Sequence, residues 1–270
     1  MAHEMIKTII LGAAGKMGRR VVSCARNYPD IKIIGGIEQP GNSFIGKDLG
    51  ETAGIGNAGA LIVDSLDSII GKADVCIDFS YHTCTIAALP TVIEHKKAFV
   101  ICTTGFDESE TAKIKEASKI IPVLLSPNMS VGVNLLFDIV GEVASKLGDD
   151  YDIEIIEAHH NKKKDAPSGT AAKLADIAAK SRGRDINKDG IYGRKGMVGE
   201  RKTGEIGVHA VRAGDIVGEH TVVFAGPGER IELIHRAHTR DTFANGALRA
   251  ALFIANRKPG FYSMKDVLSA

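Results

Sequence analysis

Two kinds of hydrophobic pattern alternate along the first half of the chain. Short runs rich in β-branched residues occur at 7–11, 31–37, 74–79, 98–102 and 121–125. Most of the segments between them, such as MGRRVVSCARN and ESETAKIKEASKI, carry apolar residues at helical spacing. Because the apolar runs are continuous rather than alternating, they predict strands of a parallel sheet with crossover helices on both faces.

The pattern changes after residue 130. Helical spacing predicts helices over 133–147 and 170–181, with a strand over 152–160 between them. From Ile206 onward the chain alternates between strand and turn signals, which predicts a meander. The amphipathic segment at 242–256 is suited to pack back on the first half. We therefore predict an α/β fold, with a parallel-sheet domain over 1–129 and 240–270 and an α+β domain over 130–239.

Composition and charge indicate which classes of protein this chain can belong to. The 270 residues are 44% hydrophobic, which fits one large or two modest globular domains. A net charge of +1 gives no overall field that would indicate binding to nucleic acid or a membrane. The basic loop at 194–202 has no aromatic residue on which a base could stack. The four cysteines form no CxxC pair and no apolar run is long enough to span a bilayer, so we predict a cytoplasmic protein.

A glycine turn follows the first predicted strand. GAAGKMG places glycines at 12, 15 and 18, a GxxGxxG variant of the dinucleotide fingerprint. Glycines in such a turn allow a pyrophosphate to approach the backbone and rest on the helix N-terminus. Glu38 ends the second strand, where a carboxylate can accept hydrogen bonds from both ribose hydroxyls. The alternative is a plain glycine turn beside an exposed glutamate, which the strand–turn–helix context disfavours.

The neighbouring residues bear on the type of dinucleotide. Gln39 stands where an arginine could pair with a 2′-phosphate, which favours NADH or use of both dinucleotides over strict NADPH preference, although Lys16 and Arg19 lie nearby. CTTG at 102–105 and SPNM at 126–129 follow two further strands. Ligands bind at the carboxyl ends of parallel strands, but both segments are also common turn formers. Together with the glycine turn they predict contacts on the nicotinamide side.

The segment EAHHNKKKDAPSGTAA, residues 157–172, concentrates the polar chemistry of the second half. His159 and His160 are adjacent on a predicted strand and point to opposite faces, so a shared zinc ion is disfavoured and we predict no metal. The lysines at 162–164 are either a solvated turn or part of an anion site. Ser168 or Thr170 is either a helix cap or, beside Gly169, part of an anion-binding helix N-terminus. The combination predicts an anionic substrate that is protonated as it is reduced.

These motifs together resemble the 4-hydroxy-tetrahydrodipicolinate reductase (dihydrodipicolinate reductase) family of lysine and diaminopimelate biosynthesis. The residues at 157–171 match the family signature E-x-H-H-x-x-K-x-D-A-P-S-G-T-A. The resemblance extends to GAAGKMG, to TTG at 103–105, to SPNMSVGVN at 126–134 and to the stretch 212–248, so it spans essentially the whole chain. It implies a Rossmann-like nucleotide domain, a mixed-sheet substrate domain and a homotetramer.

The resemblance also implies a reaction and its residues. Hydride passes from NADH or NADPH to C4 of a dicarboxylate substrate, 4-hydroxy-tetrahydrodipicolinate, with loss of water. Catalytic roles fall to His159 as proton donor or acceptor and to Lys163 as proton donor. The substrate carboxylates are held by His160, Ser168, Gly169 and Thr170. The implied cofactor contacts are Gly12, Ala13, Ala14, Gly15, Lys16, Met17, Glu38, Cys102, Thr103, Thr104, Ser126, Pro127, Asn128 and Met129. This chain departs from the family at Cys102, commonly glycine, and at Gln39, arginine in many members.

Two other interpretations stay open at the level of sequence. A different two-domain dehydrogenase of the aspartate pathway would fit the first half, but all four cysteines precede residue 103, so the second half has no acylating thiol. A non-catalytic nucleotide sensor would keep the glycine turn. Such a sensor has no need for His159, Lys163 and a helix N-terminus together, and it would bind NADH without oxidising it.

Overall fold

The computed structural model describes residues 5–270, which form two compact units. The first unit comprises residues up to Val131 together with Arg240–Ala270, and the second comprises Gly132–Thr239. For comparison, the sequence predicts the second domain at 130–239.

The five apolar runs predicted as strands form buried strands of the first unit. Ile9, Val75 and Val100 have no exposed surface, as expected for strands covered on both faces. The short elements between residues 49 and 70 were not predicted. The elements in this part of the chain are β1 (Ile6–Leu11), α1 (Lys16–Ala25), β2 (Ile31–Ile37), α2 (Leu49–Thr52), β3 (Ile62–Val63), α3 (Asp67–Ile70), β4 (Val75–Asp78), α4 (His82–Glu94), β5 (Ala98–Ile101), α5 (Glu108–Ala117) and β6 (Pro122–Leu125).

The second unit packs two helices against one face of a mixed sheet of five strands. Core residues such as Val140, Leu174 and Phe224 have no exposed surface. The elements are α6 (Val131–Leu147), a 3-10 helix (Gly148–Asp150), β7 (Asp152–His159), α7 (Gly169–Lys180), α8 (Ile186–Asp189), β8 (Gly190–Tyr192), β9 (Ile206–Arg212), β10 (Gly218–Gly226) and β11 (Glu229–Ala237). The predicted helices and strand of this region lie within two residues of the observed bounds (133 against 131, 160 against 159).

The meander predicted from Ile206 is wrong. The strand order is β11-β10-β7-β9-β8, so β7 lies between β9 and β10. β9 runs parallel to β7, while β10 is antiparallel to β7 and forms a hairpin with β11. Alternation along a strand reports which face is buried and not which strand is its neighbour. The observed order brings β7, which carries Glu157 and His159, next to both β9 and β10.

The C-terminal segment returns to the first unit, where it adds α9 (Asp241–Ile254), β12 (Gly260–Tyr262) and α10 (Met264–Leu268). Ala247 and Leu248 of α9 lie in the same core as Ile10 of β1. At Gly246 a Cβ would lie 1.7 Å from the carbonyl oxygen of Met129, so only glycine allows the helix to pass this closely to the loop after β6.

The strands of the first sheet are all parallel and follow the order β12-β6-β5-β4-β1-β2-β3. From β1 the chain adds β2 and β3 on one side of the sheet, and it then adds β4, β5 and β6 on the other side, so the order of the strands reverses between β1 and β4. Ligands of open parallel sheets bind outside the carboxyl ends of the strands at such a switch point. The glycine turn after β1 and the loops after β4 and β5 lie at this edge.

Candidate active site

The glycine turn between β1 and α1 has no room for a side chain at Gly12 or Gly18. Gly12 has a φ of +72°, and a Cβ on it would lie 2.7 Å from the carbonyl oxygen of Phe79 in the loop after β4. A Cβ on Gly18 would lie 2.3 Å from the carbonyl oxygen of Gly12. Gly15 is the N-cap of α1 and offers no capping side chain, so no N-cap side chain accepts from the first-turn N–H groups of the helix. Such a bare helix N-terminus fits a pyrophosphate.

Glu38 follows β2 and closes one side of this turn. Its Oε1 accepts a hydrogen bond from the N–H of Ala14 at 2.8 Å, and its Oε2 accepts one from Nδ2 of Asn42 at 3.1 Å. Each carboxylate oxygen can accept a second hydrogen bond, so the carboxylate can still bind ribose hydroxyls. Nε2 of Gln39 donates to Sγ of Cys84 at 3.1 Å.

A cleft of about 590 Å³ opens beside the glycine turn. Gly12, Gly15 and Glu38 line it, as the sequence predicts for a dinucleotide site. The sequence did not single out Asp64, Tyr81 and Cys84, which also line the cleft. Asp64 follows β3, and Tyr81 and Cys84 lie at the start of α4, after β4. They line the same cleft because β1 and β2 lie between β3 and β4 in the sheet, an order that the sequence does not specify.

The two predicted strand-end loops, at 102–105 and 126–129, bury several of their side chains. Thr103 is buried, and the N–H of Cys102 donates to the carbonyl oxygen of Asp78 at 2.9 Å. Burial raises the pKa of the Cys102 thiol well above its ordinary value, so it stays protonated. Met129 is buried in the core of the first unit. Cys102 and Met129 can therefore offer a ligand mainly their backbone, whereas Thr104 is exposed.

A buried carboxylate organises the polar groups of the second unit. Glu157 on β7 has no exposed side-chain surface. Its oxygens accept two hydrogen bonds from Arg212 of β9, at 2.7 and 2.8 Å. Oε1 also accepts one from the N–H of Ser168 at 3.0 Å, and Oε2 lies 2.5 Å from Nδ1 of His159. One carboxylate therefore joins β7, β9 and the start of α7.

The pKa values of this cluster follow from burial and from the ion pair. Burial raises the pKa of Glu157, but hydrogen bonds from Arg212, His159 and Ser168 outweigh it, so the pKa lies below its ordinary value. Burial lowers the pKa of His159, and the bond to Glu157 only partly opposes this. His159 is therefore mainly neutral near pH 7. Because ionised Glu157 can only accept, Nδ1 of His159 carries the ring proton and Nε2 the lone pair.

Ser168 and His220 form a buried hydrogen bond beside this cluster. Oγ of Ser168 caps α7 by accepting from the N–H of Ala171 at 3.2 Å, so its hydroxyl proton is available to Nε2 of His220, also at 3.2 Å. Burial lowers the pKa of His220 to about 3, which keeps it neutral. The rings of His159 and His220 meet edge to face with centroids 5.2 Å apart. His220 thus fixes the turn that starts α7.

The three lysines are not equivalent. Nζ of Lys163 forms an ion pair with Oδ2 of Asp165 at 2.8 Å, and its side chain is 21% exposed. Lys162 and Lys164 are exposed. The structure therefore anchors the lysine that the family signature singles out and leaves its neighbours in solvent.

The predicted carboxylate-binding residues lie around the N-terminus of α7. The N–H of Ser168 is bonded to Glu157 and is therefore not available to a ligand. Gly169 has no positive φ, and no atom lies within 4 Å of the position a Cβ would take. The protein's own packing therefore does not require glycine here. Nδ1 of His160 is buried and has no hydrogen-bond partner among residues 5–270.

Three residues important to this geometry were not predicted as site residues: Glu157, Arg212 and His220. The signal that could have found them is a polar residue at a core-facing strand position. Glu157 continues the buried series Ile153 and Ile155, and His220 continues the buried series Val222 and Phe224 (all on the core-facing side of the sheet).

Among residues 5–270, no three or more His, Cys, Asp or Glu side chains form a group that could hold a metal ion.

Two family models account for nearly the whole chain. Residues 6–129 match "Dihydrodipicolinate reductase, N-terminus", and residues 132–268 match "Dihydrodipicolinate reductase, C-terminus". The chain belongs to the dihydrodipicolinate reductase family. The resemblance inferred from the motifs is therefore confirmed, and the assignment to an enzyme sets aside both the sensor and the different dehydrogenase.

Individual relatives agree with this assignment. The chain is 48% identical over 264 residues to the 4-hydroxy-tetrahydrodipicolinate reductase of Syntrophus aciditrophicus and 50% identical to that of Desulfotalea psychrophila, with 98% of each chain covered. A solved structure, "Dipicolinate bound Dihydrodipicolinate reductase from Paenisporosarcina sp. TG-14", superposes with a TM-score of 0.78 at 23% identity, covering 98% of this chain and all of that one. This likeness confirms the α/β fold class.

Proposed function

We propose that this protein reduces 4-hydroxy-tetrahydrodipicolinate to tetrahydrodipicolinate in lysine and diaminopimelate biosynthesis, with NADH or NADPH as the reductant. Identity near 50% to reductases of that name over nearly the full chain supports the reaction. The observation that carries it in the structure is the Glu157 carboxylate, which holds His159, Arg212 and the start of α7 together. This cluster joins a proton-transfer group to an anion-binding helix end.

The first unit fits a nicotinamide dinucleotide. The bare N-terminus of α1 and the side-chain-free turn at Gly12 suit the pyrophosphate, with Ala13, Ala14, Gly15, Lys16 and Met17 around it. Glu38 suits the adenosine ribose. The segments 102–104 and 126–129 suit the nicotinamide half. When bound, the dinucleotide supplies the hydride that reaches C4 of the substrate.

The substrate carboxylates are held by His160 and by the start of α7. The N–H groups of Gly169 and Thr170 lie in the first turn of that helix, where the helix dipole favours an anion. The open space at Gly169 leaves room for a carboxylate against the backbone. Ser168 acts here by fixing the turn, because its own N–H is bonded to Glu157.

Proton transfer falls to His159 and Lys163. Nδ1 of His159 is held by Glu157, so Nε2 is the nitrogen that accepts a proton or, once protonated, donates one. The ammonium of Lys163 is held by Asp165 and serves as proton donor and as a counter-charge near the carboxylates. Arg212 keeps Glu157 ionised and with it the orientation of His159.

A homotetramer is proposed from the outer face of the second sheet. Ile156, Val211 and Ile234 are 42%, 44% and 46% exposed on β7, β9 and β11. Apolar side chains exposed on one face of a sheet can form an interaction face, and we expect Val211→Glu to lower the mass measured by analytical ultracentrifugation. None of the helices formed by residues 5–270 is both long and apolar enough to cross a membrane.

The reaction is tested by adding the product of dihydrodipicolinate synthase to the protein in the presence of NADH or NADPH. We expect oxidation of the dinucleotide that requires both the protein and this substrate. NADH binding without any oxidation, in a sample that also binds dipicolinate, would contradict the proposed function.

A further inference from the structure

Gly218, the first residue of β10, is a buried glycine in the second unit. Its φ is not positive, so its backbone conformation does not require glycine. Glycine weakens a strand, and where it stands in one it often marks a place that another group approaches closely. The group that approaches Gly218 is the ring of His159. A Cβ on Gly218 would lie 3.0 Å from Nε2 of that ring and 3.4 Å from its Cδ2.

The register of the strands brings these two residues together. β7 and β10 are antiparallel neighbours, with Glu157 opposite His220. His159 lies two residues after Glu157, and Gly218 lies two residues before His220. Because side chains alternate along a strand, both positions face the core-facing side of the sheet. The ring of His159 therefore lies beside the place that a side chain at 218 would take.

Three contacts fix the position of this ring. Nδ1 of His159 lies 2.5 Å from Oε2 of Glu157, the ring meets that of His220 edge to face, and Nε2 lies against Gly218. The side chain of His159 is only 12% exposed, so it has little room to turn away. Because an ordinary contact of a Cβ is 3.4 Å or longer, a methyl group at 218 would displace Nε2 by a few tenths of an ångström.

We propose that Gly218 is a positioning residue for proton transfer. Because it carries no side chain, the imidazole of His159 keeps Nδ1 on Glu157 while Nε2 stays uncovered. This inference rests on the proposed function, which assigns proton transfer to His159. Gly218 contributes no functional group of its own and acts only through the place that it leaves for the ring.

The variant Gly218→Ala adds one methyl group at this position. Misplacing a reacting group by about 1 Å can lower a rate by about 10²-fold, so a shift of a few tenths of an ångström should lower kcat by about three- to tenfold. The dissociation constants of NADH and dipicolinate should stay within about twofold, since residue 218 offers neither of them a polar group. Steady-state kinetics and binding titrations measure these quantities.

The ring of His159 reports its displacement directly. Glu157 raises the pKa of His159, while burial, Lys163 and Arg212 lower it. A weaker bond to Glu157 should therefore lower this pKa and reduce the share of the neutral ring that carries its proton on Nδ1. Nitrogen NMR of protein with isotope-labelled histidine measures both quantities without substrate, and His159→Ala identifies the signals.

Gly226→Ala is the matched control for the added methyl group. Gly226 ends β10, and a Cβ there would lie 2.8 Å from the ring of Tyr151, outside the Glu157 cluster. We expect it to leave kcat and the His159 signals unchanged. His159→Ala supplies a second control, because it removes the ring that Gly218 accommodates. Adding Gly218→Ala to it should change the residual kcat by less than about twofold.

His159 signals identical to those of the wild type in Gly218→Ala would overturn the proposal, as would an unchanged kcat. An equal fractional loss of kcat on adding Gly218→Ala to His159→Ala would also overturn it. Should Gly218→Ala fail to fold, the double variant decides: we expect it to unfold at the same temperature as His159→Ala, and failure of the double variant to fold contradicts the proposal. A failure of the proposed function is recognised separately, as absence of NADH oxidation by the wild type, whereas the NMR and unfolding measurements do not depend on turnover.

Discussion

The two units differ in the groups that they offer to a ligand. The first presents backbone N–H groups at a turn that excludes side chains at Gly12, with Glu38 as an acceptor beside it. The second presents titratable side chains, and Glu157 holds His159 and Arg212 through charge. The first site should therefore be sensitive to added volume, and the second should be sensitive to loss of charge.

The largest effect is expected from Lys163→Ala in the second unit. A general acid contributes about two to four orders of magnitude to a rate, so we expect kcat to fall by that amount. NADH affinity should be unchanged, because Lys163 lies outside the first unit. Steady-state kinetics and a fluorescence titration with NADH measure the two quantities. Lys164→Ala, which alters an exposed neighbour, is the control; lost NADH binding with retained turnover would contradict the assignment.

Adding a methyl group to the glycine turn should give the opposite result. Gly12→Ala brings backbone strain of about 1–2 kcal/mol and a clash with the carbonyl oxygen of Phe79. We expect the dissociation constant of NADH to rise by about 10- to 100-fold, while dipicolinate affinity stays unchanged. Gly54→Ala is the matched control, since Gly54 has a φ of +75° and open space around it. Equal effects of the two variants would show that strain alone is responsible.

Glu157→Gln tests how charge acts within the second unit. The Glu157 carboxylate raises the pKa of His159 against the effect of burial. Removing its charge should lower that pKa, so any limb of the kcat profile that reports His159 moves to lower pH. We expect a loss of about tenfold in kcat at neutral pH, the order expected for a hydrogen bond to a charged group. Glu154→Gln is the control, because Glu154 lies on the opposite face of β7 and is also held by arginines and a histidine. An unshifted profile in Glu157→Gln would refute the role given to this carboxylate.

The smallest effect is expected at Gln39, at the edge of the first site. An arginine there can pair with a 2′-phosphate, so Gln39→Arg should raise the ratio of kcat/KM for NADPH to that for NADH by about tenfold. Gln39→Leu removes the contact with Cys84 without adding charge and should leave the ratio unchanged. A wild-type protein that already strongly prefers NADPH would show that our interpretation of Gln39 is wrong.

The contiguous parts of both sites could be predicted from the sequence. The glycine turn lies between a strand and a helix, and the signature at 157–171 runs from the end of β7 into the first turn of α7, so short-range patterns contain their geometry. Arg212 and His220 could not be placed in this way. They reach Glu157 and Ser168 because β9 and β10 flank β7 on opposite sides, and the apolar alternation of those strands does not specify that order.

Asp78 shows the same limit within the first unit. The sequence identified it only as part of a strand, DVCIDF at 74–79. Its carboxylate accepts hydrogen bonds from the hydroxyls of Ser80, Thr85 and Thr103. Thr85 and Thr103 come from other elements of the fold, so the sequence does not show that they meet Asp78. A carboxylate at the end of a strand is common at a surface, so only its burial distinguishes this one.

Chemical rescue of Lys163→Ala tests most directly whether the second unit supplies the proton. Primary alkylamines are added at constant pH and ionic strength to the variant with NADH and the product of dihydrodipicolinate synthase. We predict that turnover rises in proportion to the concentration of protonated amine while NADH affinity stays at the wild-type value. No rise with any amine, in a variant that still binds NADH and dipicolinate as the wild type does, would contradict the role assigned to Lys163.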